Sequence, residues 1–184
     1  MQIIYITGRG GDANKGLGAY LKELDANRIG LSMNKQFLTL SFEEQVGVVA
    51  KLIDDFDSPS TRIIANSYGA YLCLHALIDA PQYQSHILLL SPVIGAALNP
   101  KHLAYSRLPS CQRYKLAVAE KRITRPASIA IHIGTDDMGY DPQPFSELCS
   151  SLESCELNVI ENQGHTLDRV AVQSIVHQFL DREG

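Results

Sequence analysis

One stretch of the chain combines residue type and spacing in a way that could make a nucleophile. Arg62-Ile63-Ile64-Ala65-Asn66-Ser67-Tyr68-Gly69-Ala70-Tyr71-Leu72 is an apolar run that stops at a serine and passes directly into helix-forming residues. A serine on so tight a strand-to-helix turn takes strained dihedrals, and small residues two before and two after it let the backbones pass. Ala65 and Gly69 stand at those two positions. Such a turn is a nucleophile elbow: it lifts Ser67 Oγ above a sheet and points the next backbone N–H, that of Tyr68, to where an oxyanion would form.

A serine hydroxyl attacks poorly until a base takes its proton, so the elbow predicts a histidine and an orienting acid further along. Both follow in order. Gly134-Thr135-Asp136-Asp137 comes after the apolar run Ser128 to Ile133, and Glu161-Asn162-Gln163-Gly164-His165 comes after Glu156 to Ile160. By itself Ser-x-Gly is ordinary turn chemistry; an acid and a histidine on later loops give it weight. Asp136 and Asp137 also read as turn formers that bond their own backbone, a role at least one of them should fill. His165 has a plainer reading as a capping or surface histidine. His75, His86, His102, His132 and His177 sit in helices, strands or a long connection with no motif around them, and read as structural.

The elements that must position these residues alternate along the whole chain, strand-length apolar runs with helix-length amphipathic ones. Strands are expected at Gln2 to Thr7, Gln36 to Leu40, Arg62 to Ala65, His86 to Leu90, Ser128 to Ile133 and Glu156 to Ile160. Helices are expected near Lys15 to Leu24, Phe42 to Phe56, Tyr68 to Asp79, Pro144 to Leu152 and Leu167 to Leu180; Ser41 and Glu44 carry the S-x-x-E capping-box signature for the second. This is the α/β pattern, a three-layer α/β/α sandwich around a mostly parallel six-stranded sheet, with functional groups gathered at the carboxyl edge. Residues 91–127 are too long for a simple crossover and are punctuated by Pro92, Pro100, Pro109 and Pro126. They read either as a cap, with Leu103, Tyr105, Leu108, Tyr114, Leu116 and Val118 as its apolar lining, or as a helix and loops packed for stability alone. No repeat or linker interrupts residues 1–184, which read as one domain.

The order of elbow, acid and histidine on successive loops resembles the α/β-hydrolase superfamily over almost the entire chain. In that family the acid commonly sits in a Gly-x-x-Asp turn, which selects Asp137, and the base commonly follows a glycine, as His165 follows Gly164. The resemblance also assigns Thr7-Gly8-Arg9-Gly10-Gly11 to the oxyanion loop, so that the backbone N–H of Arg9 would join that of Tyr68. Two departures stand out: Ala65 where the elbow often has Gly, and Thr7-Gly8 where many relatives have His-Gly. The lack of antiparallel lead-in strands resembles a minimal, single-domain member. The implied activity is that of a serine hydrolase cleaving a small carboxylic ester or thioester through an acyl-enzyme on Ser67, with no metal or organic cofactor.

Two other readings compete. One is a noncatalytic binding protein on the same fold, since fold does not establish activity. The other is a nucleotide-binding oxidoreductase: Gly8-Arg9-Gly10-Gly11-Asp12-Ala13 fits G-x-G-x-x-A after a strand, but the acidic residue that fingerprint wants ~20 positions on is missing from Arg28 to Lys35. A Walker A loop is excluded because no G-K-[ST] occurs after Lys15-Gly16.

Composition narrows the partners. With 20 acidic against 16 basic residues, and no basic cluster, nucleic acid is not an expected ligand. No apolar run reaches the ~18 residues that span a bilayer. Met1-Gln2-Ile3-Ile4-Tyr5-Ile6-Thr7 lacks a basic n-region and reads as a buried strand, not a signal peptide, so a cytoplasmic location is expected. Cys73, Cys111, Cys149 and Cys155 show no metal-binding spacing; a Cys149–Cys155 disulfide stays open as the minor alternative.

Overall fold

Strands covered on both faces carry continuous apolar runs, not alternating ones. The first strand is such a run: Ile3, Ile4, Tyr5 and Ile6 are all buried, as are Ile63, Ile64 and Ala65 in the third. The computed structural model describes residues 1–95, 107–152 and 155–182. In chain order the elements are β1 (Gln2–Ile6), α1 (Leu17–Leu24), β2 (Ile29–Leu31), α2 (Phe42–Phe56), β3 (Thr61–Asn66), α3 (Tyr68–Ala76), β4 (His86–Leu90), α4 (Cys111–Ala119), β5 (Ser128–Gly134), α5 (Pro142–Ser151), β6 (Cys155–Ile160) and α6 (Arg169–Leu180).

The six strands form one parallel sheet in the order β2-β1-β3-β4-β5-β6. The order reverses between β1 and β3, and in open α/β sheets the crevice at such a switch point is where ligands sit. Register makes that crevice: β1 and β3 pair from Gln2 opposite Thr61 to Ile6 opposite Ala65, so Gly8 and Ser67 leave the sheet side by side.

Two cores flank the sheet. On one face Leu21 of α1 and Ile175, Val176 and Phe179 of α6 close over Ile3, Tyr5, Ile64 and Leu88. On the other, α2, α3 and α5 bring Val49, Ile53, Leu72, Phe145 and Leu148 over Ile4, Ile6, Ile63 and Leu89. Helix α2 begins with the expected capping box, in which Glu44 N donates to Ser41 Oγ at 3.2 Å and Ser41 N donates to Glu44 Oε2 at 2.7 Å.

One expected strand is corrected. Gln36 to Leu40 is not extended; Phe37–Thr39 is a 3-10 turn, and the second strand is Ile29–Leu31. Asn34 explains the difference, because its side chain accepts from Phe37 N at 3.0 Å and starts the turn, while Thr39 Oγ1 donates to the Gln36 carbonyl at 2.7 Å. Of the cysteine readings, the disulfide left open is the one present: Cys149 of α5 and Cys155 of β6 are bonded, with their Cα atoms 5.0 Å apart, whereas Cys73 and Cys111 are free.

Of the long connection, His102, Leu103 and Tyr105 lie outside the described residues. Its later part contains α4, whose Tyr114 and Ala117 are buried while Leu116 is exposed. It packs against α5 and α3, where Tyr71 donates its hydroxyl to the Pro109 carbonyl at 2.8 Å, and an isolated antiparallel bridge joins Ile123 to Ile78. Among the described residues no helix is long and apolar enough to cross a membrane.

Candidate active site

Ser67 is the residue between β3 and α3, and its backbone sits at φ 51, ψ −114. An L-residue takes a positive φ only where its surroundings force it, at a cost of order 1–3 kcal/mol. Those surroundings are visible on both sides. Ser67 N still donates to the Leu90 carbonyl at 2.9 Å, continuing the sheet ladder, while its carbonyl already accepts from Tyr71 N at 3.2 Å as the helix starts. A chain that leaves a ladder and enters a helix at one residue has no room for ordinary dihedrals.

Close packing below the turn explains its small residues. A Cβ at Gly69 would lie 2.3 Å from the Thr7 carbonyl oxygen, and Ala65 is fully buried. Tyr68 is fixed from the other side: its hydroxyl donates to Gln45 Oε1 at 3.0 Å, and Gln45 Nε2 donates to the Leu40 carbonyl at 2.8 Å. Helix α2 therefore holds the first residue of α3 and with it the direction of the Tyr68 N–H.

Asp137 and His165 reach Ser67 from the loops after β5 and β6. His165 Nε2 lies 2.8 Å from Ser67 Oγ, and His165 Nδ1 lies 2.9 Å from Asp137 Oδ2. A carboxylate only accepts, so Nδ1 carries the ring proton and Nε2 is left as the acceptor facing the serine hydroxyl. The Asp137 side chain is 1% exposed against 26% for His165. The acid is thus shielded from water, and its second oxygen accepts from Gly139 N at 2.8 Å. Asp136 points elsewhere: it is exposed and its Oδ1 accepts from Thr135 Oγ1 at 3.1 Å, while its backbone N–H donates to the Gln163 carbonyl at 2.9 Å. That last bond ties the acid loop to the histidine loop. It requires Gly134, where a Cβ would meet the Gln163 carbonyl oxygen at 1.9 Å.

The loop after β1 completes the arrangement. Thr7 is buried, and its Oγ1 accepts from Met33 N at 2.9 Å, so a hydroxyl buttresses the loop. Gly10 N donates to the Met33 carbonyl at 2.8 Å and Gly11 N to the Gly8 carbonyl at 2.9 Å. These two amides are engaged and are not available as donors toward Ser67. Gly8 is close to the serine, since a Cβ on it would lie 3.2 Å from Ser67 Cβ. The Arg9 guanidinium lies over the Tyr68 ring, 5.6 Å from its centroid.

Ser67 and His165 open into a cavity of ≈ 840 Å³, a volume typical of small-molecule sites. Its floor includes Tyr5, Asn66 and Ser91, and its sides come from α1 and α6; of the described residues of the long connection only Ser91, its first, lines it. Burial pushes the Tyr5 phenol above its ordinary range, against a smaller opposing effect of hydrogen bonding to Asn66, so Tyr5 enters the cavity as a neutral hydroxyl. Tyr5, Ser91 and the residues of α6 were not singled out by spacing, because they meet only when β1, β4 and α6 are assembled. The G-x-G-x-x-A segment does not open a helix: α1 begins at Leu17, four residues beyond Ala13, and no carboxylate follows β2 in Ser32-Met33-Asn34.

With six parallel strands, helices on both faces and a serine at a strand-to-helix elbow, the chain has the α/β-hydrolase fold. Solved structures agree along nearly its full length. A monoacylglycerol lipase of Paleococcus ferrophilus is similar with a TM-score of 0.69 at 14% identity, over 97% of this chain and 93% of that one. SOBER1 of Arabidopsis thaliana is similar with a TM-score of 0.63 at 17% identity, over 97% and 96%. An esterase, PE8, has a TM-score of 0.60 at 15% identity, over 97% and 92%. No protein-family model and no curated protein matches the sequence.

Proposed function

We propose that this chain is a serine hydrolase that cleaves a small carboxylic ester or thioester through an acyl-enzyme on Ser67. The observation that carries the reading is the continuous relay from Ser67 Oγ to His165 Nε2 at 2.8 Å and from His165 Nδ1 to Asp137 Oδ2 at 2.9 Å. The fold of esterases and lipases supports it.

In this mechanism Ser67 Oγ attacks the substrate carbonyl carbon as His165 Nε2 takes the hydroxyl proton. Asp137 holds the tautomer and stabilises the imidazolium. The carbonyl oxygen becomes an oxyanion that the backbone N–H groups of Tyr68 and Arg9 bind, with the positive end of α3 behind the first of them. Collapse breaks the bond to the leaving alcohol or thiol, which takes the proton from His165. Water then repeats the sequence: it adds to the acyl carbon, gives its proton to His165, and releases the carboxylic acid and free Ser67 Oγ–H.

The test is release of 4-nitrophenol from 4-nitrophenyl esters of rising acyl length. Wild-type protein should turn over at least the short ones, and Ser67→Ala should fall by several orders of magnitude. A Ser67→Ala protein as active as wild type would remove Ser67 from the mechanism.

A further inference from the structure

The residues lining the cavity beside Ser67 reverse the charge of the molecule. The chain as a whole has an excess of acidic residues. The cavity is lined by Arg9, Lys15 and Arg169 against the single carboxylate of Asp12. Asp12 lies beside Lys15 at 3.5 Å, so that pair is already matched. Among the described residues no ion pair engages Arg9 or Arg169.

Arg169 is also placed against local helix energetics. It is the first residue of α6, directly after the Asp168 cap. A cation there is opposed by the positive end of the helix dipole. Nothing in the packing of α6 offsets it, because Arg169 is exposed. The rest of the cavity suits an arm reaching those cations: Leu17, Leu167 and Val172 provide apolar walls. On its floor, the Ser91 hydroxyl is buried with no hydrogen-bond partner.

We infer that the substrate is an anionic ester or thioester, its negative group held at the cavity mouth by Arg169 and the Arg9 side chain while its apolar arm lies along α1 and α6. This rests on the proposed acyl-enzyme chemistry at Ser67 and adds the substrate class to it. Exposed guanidinium groups act here as rim charges, which change KM and salt dependence more than the chemical step.

The test compares three esters with the wild-type protein: 4-nitrophenyl hexanoate, mono-4-nitrophenyl adipate with a carboxylate on the acyl part, and 4-hexanoyloxybenzoate with a carboxylate on the leaving group. At least one anionic ester should exceed the neutral one in kcat/KM, and 0.5 M NaCl should shrink that preference. Arg169→Ala should cut the preference about fivefold through KM, the size of one exposed ion pair, and Arg169→Lys should restore part of it. Calorimetric titration of adipate into the Ser67→Ala protein reads binding without turnover. Equal kcat/KM on all three esters with no adipate binding overturns the anion pocket and leaves the hydrolase reading standing. Adipate binding weakened by Arg169→Ala, with no turnover of any ester by wild type, upholds the pocket and overturns the hydrolase reading.

Discussion

Gly69 and the carbonyl of Thr7 meet with no space for a side chain between them: a Cβ on Gly69 would fall 2.3 Å from that oxygen. The contact joins the first turn of α3 to the loop after β1, so it sets the distance between the two proposed oxyanion donors, Tyr68 N–H and Arg9 N–H. The obstacle is backbone and cannot rotate away. Gly69→Ala should therefore push the loop from the elbow, costing about 1–3 kcal/mol of stability and on the order of 10²-fold in kcat, because a donor displaced by an ångström loses its target. Denaturant titration and ester kinetics on the same preparation check both effects.

The adjacent acids should respond oppositely to the same change. Asp137→Asn favours the wrong imidazole tautomer and removes the charge that stabilises the His165 cation, at a cost of up to ~10⁴ in kcat. Asp136→Asn changes an exposed side chain bonded to Thr135 and should stay within about threefold of wild type. Parallel kcat measurements at one pH separate the two.

Thr7 is expected to act through its hydroxyl. Thr7→Val keeps the shape but leaves the buried Met33 N–H without its 2.9 Å acceptor, which should cost about 1–3 kcal/mol, while Thr7→Ser keeps most of the stability. Chemical denaturation of the two variants beside wild type makes the comparison.

His75 predicts a pH dependence of stability. Both ring nitrogens are buried without a partner, and the ring packs edge-on against Phe42 and Tyr71. Burial, with Arg113 adding to it, pushes this imidazole down from 6.5 to about 4. The unfolded chain then binds more protons than the folded one between these values, so stability is full above pH 6.5 and falls as pH drops toward 4. His75→Phe should flatten that window, with wild type losing up to roughly 3 kcal/mol more than the variant from pH 7 to pH 4. Urea midpoints across the range give the difference directly.

Much of this arrangement was legible because its determinants are local. The elbow reads from Ala65, Ser67 and Gly69 within five residues, and the capping box of α2 from Ser41 and Glu44 within four. The second strand was not legible: Ile29-Gly30-Leu31 is three residues around a glycine, while Phe37 to Leu40 is apolar but is turned by Asn34. The cavity was hidden for a different reason. Tyr5, Ser91 and Arg169 come from β1, the end of β4 and the start of α6, and only the assembled sheet with its two flanking helices brings them together.

Formation of the acyl-enzyme on Ser67 is checked by peptide mapping after treatment with a fluorophosphonate. One adduct per chain is expected, on the peptide containing Ser67, absent in Ser67→Ala and strongly slowed in His165→Ala. An adduct on any other residue, or an unreacted wild-type protein under conditions that label a control serine esterase, would contradict it.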